Sequence, residues 1–125
     1  MGVRRLTTTA GRMALAGVFL KGGWDAFRDP GGRPIAVEKA GLPDPELLVR
    51  ANGAAMVAGG VALLTDILPR TAAAGLIVSL GATTVVGHRF WDIHEEPARA
   101  QQTTQFLKNL AIIGGLVIYL GIPNA

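Results

Sequence analysis

Three stretches of this chain contain no charged residue: positions 51–65, 71–87 and 109–125. They limit the fold more than any other feature. A helix of about 17 to 20 residues is what crosses the apolar core of a bilayer, whereas a solvent-facing helix of that length carries charges along one side. Composition agrees. Half of the 125 residues are apolar, 17% are charged and mean hydropathy is +0.37. A soluble domain this short needs a large charged surface, because small domains bury a modest fraction of their area.

The pattern predicts four spans in one domain over residues 1–125. They lie at about 11–27, 47–68, 71–88 and 104–122, with the fourth helix starting near Pro97. The expected fold is therefore all-α, an integral membrane four-helix bundle. The first span is the least apolar, since Lys21 and Asp25 lie in its last two turns, where snorkelling carries a charge to the interface. Residues 28–46, rich in Pro and Gly and carrying Arg28, Arg33, Glu38, Lys39, Asp44 and Glu46, read as a water-facing connection. Pro43-Asp44-Pro45-Glu46 has the form of a helix start. Asp66 and Pro69-Arg70 end the second span, and a tight turn makes the second and third antiparallel neighbours. Ala55 with Gly59, Gly75 with Ser79, and Ala111 with Gly115 are each four apart, a spacing suited to close helix contact in lipid. Gly22-Gly23, Gly59-Gly60 and Gly114-Gly115 read as packing or bending sites.

The N-terminal segment has Arg4, Arg5 and Arg12 before a short apolar run. It lacks a small-x-small cleavage site, so an uncleaved first helix is expected, and Leu6 departs from the myristoylation pattern. Four spans place Arg4, Arg5, Arg12 and Arg70 on one side. Lys and Arg counts on the two sides are indecisive, and the basic leading segment favours cytoplasmic termini.

The absence of cysteine removes disulfides, thiolate metal sites and thiol redox chemistry from this chain. A net charge of +3 without a basic stripe gives no reason to expect nucleic acid as a partner. No phosphate loop, dinucleotide fingerprint or nucleophile motif is present. His88 and His94 are six apart, which does not place two ligands on one helix face, so no metal site is expected. Alternating helix directions do bring polar residues to one membrane face. Lys21 and Trp24 end the first span, Arg50 and Asn52 open the second, His88, Phe90 and Trp91 follow the third, and Lys108 and Asn109 open the fourth. This set reads either as an interfacial girdle of snorkelling and aromatic side chains, as a structural ion-pair network, or as a ligand site.

Several motifs resemble the DoxX family of small four-helix membrane proteins. One is the apolar helix ending in Lys21-Gly22-Gly23-Trp24 with Asp29-Pro30 behind it, and another is the small-residue helix over 51–68. The third is His88-Arg89-Phe90-Trp91, then Phe106-Leu107-Lys108-Asn109, then Gly114-Gly115. The resemblance implies a bacterial inner-membrane protein with redox associations, since the family includes a subunit of a quinone-linked thiosulfate oxidoreductase and membrane partners of actinobacterial redox and superoxide-defence assemblies. It supplies no catalytic residue. The leading expectation is an accessory or scaffold subunit of a respiratory or redox membrane complex, in contact with lipid and other membrane subunits and with no redox centre of its own. The alternatives are a quinone- or lipid-binding module using Trp24, Phe90 and Trp91, and a subunit contributing Lys21, Arg50 or Lys108 to a quinone site. No cofactor is expected other than a bound quinone.

Overall fold

The computed structural model describes residues 2–123; Met1, Asn124 and Ala125, which the expected domain and its termini include, lie outside the described residues. Five α-helices follow in order: α1 Val3–Arg28, α2 Arg33–Lys39, α3 Pro45–Thr65, α4 Pro69–Gly87 and α5 Ala98–Gly121. A single 3₁₀ turn, Phe90–Asp92, lies between α4 and α5. No strand occurs among the described residues. The all-helical expectation holds, and the count of four is corrected to five. The extra helix, α2, falls in the segment read as a connection. Its seven residues, set between Gly32 and Gly41 with Pro34 in the first turn, are too short to show a period.

α3, α4 continued through the 3₁₀ turn, and α5 are long and apolar enough to cross a membrane. α1 carries Arg12 in its first half and Lys21, Asp25 and Arg28 towards its end, and is not one of the three. Only 17–28% of each apolar span is buried within the chain, so most of its surface faces outward. Val78, Val117 and Ile118 are more than half exposed. In water such a surface would associate or aggregate; in a bilayer it meets lipid.

The inward residues follow a seam. On α1 they are Arg12, Ala16, Phe19, Gly23 and Ala26, and on α3 Val49, Gly53, Met56, Gly60 and Leu63. Both sets alternate steps of four and three, the spacing of helices that cross at a shallow angle in a left-handed bundle. α1 packs along α3, α3 against α4, and α4 against α5, while α1 and α5 meet more briefly and α2 rests on α3 and α4. Phe19, Leu63, Leu76 and Leu116 are the large side chains fully enclosed by this arrangement.

The closest approach is between Gly23 and Gly53. A Cβ on Gly23 would sit 2.7 Å from the Gly53 carbonyl oxygen, and one on Gly53 would sit 2.8 Å from the Phe27 amide nitrogen. Backbone atoms, with the Cβ atoms of Met56 and Ala26 beside them, fill these spaces and cannot swing aside, so only glycine fits. The small-residue pairs expected at four-residue spacing do not act as pairs. Gly59, Ser79 and Gly115 turn inward or partly inward, whereas Ala55, Gly75 and Ala111 are exposed. Gly23, Gly59, Gly60 and Gly115 meet neighbouring helices, while Gly22 and Gly114 face open space.

The chain's two ends of helices differ in character. At one end gather the start of α1, the α3–α4 turn and the end of α5. Asp66 and Leu68 take left-handed backbone angles in that turn, with φ of 63° and 47°. Asp66 pairs with Arg12. Arg70 donates to the Ile122 carbonyl at 3.0 Å and to that of Leu120, and Arg4 reaches the Pro123 carbonyl. Arginines thus satisfy the open carbonyls that end α5. The expected grouping of Arg4, Arg12 and Arg70 at one end is observed. The opposite end holds α2, the 3₁₀ turn and the polar residues singled out above.

Candidate functional site

At that opposite end the four long helices and α2 leave a cavity of about 610 Å³. Its walls are mainly apolar, with Phe19 and Val18 from α1, Met56 from α3, Leu80 from α4 and Ile112 from α5, while Ala36 and Val37 of α2 border it beside α3 and α4. A small number of polar groups enter it: Arg33, Asn52, Thr83, His88, Lys108 and Asn109. No carboxylate lines it among the described residues. Cavities of this size, apolar with a few placed donors, are typical of small-molecule sites.

Local structure fixes those polar groups. Asn52 faces α4, where Ser79 Oγ donates to its Oδ1 at 2.6 Å and its Nδ2 donates to Thr83 Oγ1 at 2.9 Å. Thr83 Oγ1 in turn donates to the Ser79 carbonyl at 3.0 Å, as Ser and Thr do within apolar helices. His88, just past the end of α4, lies with Nδ1 2.7 Å from Gln102 Oε1. If Nδ1 carries the proton, Nε2 is left as an acceptor. Asn109 differs from both. It is only 7% exposed, lines the cavity, and makes no side-chain hydrogen bond among the described residues. Its amide therefore opens on the cavity, where a ligand acceptor would meet it.

Of the nine sequence candidates, Asn52, His88, Lys108 and Asn109 line this one cavity. The other five share the same end but lie outside its lining. Lys21, strongly exposed, forms an ion pair with Asp25 one turn on. Trp24 is half-exposed and stacks with Phe27 at 6.2 Å. Arg50 pairs with Glu46 at 3.0 Å and donates to the Phe27 carbonyl at 2.6 Å, tying α3 to the end of α1. Phe90 and Trp91 pack edge-to-face with each other and with Phe106, at 5.2, 5.3 and 5.8 Å, and Arg89 lies over the Trp91 ring. This cluster anchors the 3₁₀ turn on α5. Sequence reasoning missed Thr83, Gln102 and Arg33 as members of the site. Thr83 had a readable signal, a hydroxyl four residues after Ser79 within an uncharged span. No three His, Asp or Glu side chains come together as a metal site among the described residues.

A family model for DoxX matches residues 7–89, which is most of the chain. The chain belongs to the DoxX family. With its three apolar helices, it is a membrane protein in contact with lipid. The match spans α1 to α4 and stops at Arg89, so the Phe106-Leu107-Lys108-Asn109 and Gly114-Gly115 motifs that strengthened the resemblance lie beyond it. No curated protein and no solved structure matches the chain.

Proposed function

We propose that this chain is an accessory membrane subunit that binds a polar-headed apolar molecule, a quinone in the first instance, in the cavity beside α2. The Asn109 amide, on a largely buried residue that lines a carboxylate-free cavity, is the observation that carries the reading. A quinone carbonyl accepts hydrogen bonds and has no proton to give, which suits Asn109 Nδ2 and the Lys108 ammonium as donors. The apolar walls suit its ring, and the outward-facing helices suit its tail. Because the chain has no cysteine, electrons would pass through the bound molecule or a partner subunit of a redox complex. The family resemblance favours the bacterial inner membrane, and the basic leading segment favours cytoplasmic termini.

In this reading α1 is the fourth span. Its 26 residues extend about 39 Å at 1.5 Å per residue. Its charges are relieved in place: Lys21 by Asp25, and Arg12 by Asp66. Pairing and snorkelling lower the cost of such groups near the membrane boundary.

Extraction of the protein purified in mild detergent, followed by mass spectrometry of the bound lipids, tests the proposal. An isoprenoid quinone is expected at near-stoichiometric level. Asn109→Leu should cut its retention about tenfold, the size of one buried hydrogen bond, while the variant folds at least as well as the parent. Purified protein free of quinone, or a variant that retains as much as the parent, would refute it.

A further inference from the structure

The arginine-rich end of the bundle holds a second, smaller cavity. α1 and α5 meet only briefly, and a crevice of about 270 Å³ opens between them. Thr8, Arg12, Leu15, Gly115, Ile118 and Tyr119 are among its walls. Arg12 is 8% exposed and Tyr119 is 4% exposed. Asp66 lies beside Arg12 Nη1 as an ion pair, yet Nη1 makes no aligned hydrogen bond, and Tyr119 Oη has no partner among the described residues. Tyr119 Oη is therefore a buried donor in the crevice without an acceptor, beside an Arg12 guanidinium whose one partner is the exposed Asp66 carboxylate. Buried polar groups in proteins are rarely left so, and a bound group is one usual resolution.

Charge and shape narrow what that group is. Arg4, Arg5, Arg12 and Arg70 gather at this end, with Asp66 as the acid among them. This end of the bundle is therefore cationic. Beyond Thr7 and Thr8 the rest of the crevice is apolar, with Leu15, Ile118 and Ile122 on its walls and Ile118 69% exposed. A soluble anion would gain nothing from Leu15 and Ile118, whereas an acyl chain would.

We infer that this crevice holds the phosphodiester head of an anionic phospholipid. Arg12 and Tyr119 donate to the phosphate oxygens, and one acyl chain runs past Leu15 and Ile118. The site lies at the other end of the bundle from the cavity beside α2 and stands independently of the quinone reading.

Lipid titration of the full chain in detergent, followed by native mass spectrometry and thermal unfolding, tests this with three probes: dioleoylphosphatidylglycerol, dioleoylphosphatidylcholine and inorganic phosphate. The parent should bind phosphatidylglycerol most tightly and gain thermal stability from it, with little gain from inorganic phosphate. Tyr119→Phe removes a hydroxyl that has no partner inside the chain, so it should unfold no earlier than the parent without lipid. Its affinity for phosphatidylglycerol should fall about tenfold, the loss of one charge-assisted hydrogen bond. Equal phosphatidylglycerol binding by parent and variant would overturn the assignment, and so would equal binding of the zwitterionic lipid. Protection by inorganic phosphate alone would make the occupant a free anion, which also overturns it.

Discussion

A methyl group added at Gly53 would lie 2.6 Å from the Gly23 carbonyl oxygen and 2.8 Å from the Phe27 amide nitrogen, and neither helix can yield without bending its backbone. Gly53→Ala should therefore destabilise the bundle by about 2–3 kcal/mol, the upper part of the range for overpacking. Gly17→Ala is the matched control, because that position faces open space; there the lower backbone entropy of alanine should stabilise by on the order of 0.5–1 kcal/mol. Thermal unfolding of both variants in one detergent, followed by far-ultraviolet circular dichroism, checks the pair. The sequence signals a glycine at each position but not which glycines cross, since Gly22 and Gly23 look alike until the seam of α1 is fixed by Phe19 and Ala26. The candidate site was legible to the same degree. Asn52, His88, Lys108 and Asn109 were readable as polar groups at helix ends, but Arg33 and Gln102 come to the site through the chain's return path, which no local pattern encodes.

Among the elements, α3, α4 and α5 match the three uncharged stretches, because the lack of charge is itself the physical requirement for those helices. Their ends shift by small amounts for local reasons. α3 stops at Thr65, three residues before the expected end, because Asp66 turns to a left-handed conformation that Asp tolerates better than most residues. α1 begins at Val3 and not near residue 11, since no glycine pair or proline interrupts the polar first turns. α2 was not legible, and it bears directly on function because it borders the cavity. Replacing residues 33–39 by a flexible Gly/Ser linker of equal length should leave the far-ultraviolet helical signal nearly intact, and it should lower quinone retention in the extraction measurement. A variant that loses the short helix but retains quinone as well as the parent would show that α2 plays no part in binding.

For the molecule as a whole, the bundle is polar at both ends and apolar between them. One end has an arginine-rich rim, a crevice and capped α5 carbonyls; the other has the cavity, α2 and the aromatic cluster. Both proposed sites require these ends to face opposite sides of the membrane, and that requires α1 to cross it along with the three apolar helices. The chain has no cysteine, so single introduced cysteines report position without background. Thr7→Cys and Ile67→Cys belong to the arginine-rich end, and Glu38→Cys and His94→Cys to the cavity end; all four are exposed or nearly so. Labelling by a membrane-impermeant maleimide, from outside intact cells and then after permeabilisation, is the most direct measurement. Positions 7 and 67 should share one side, with positions 38 and 94 labelled from the other. Labelling of positions 7 and 38 from the same side would mean that α1 does not cross, and the four-span account would be wrong.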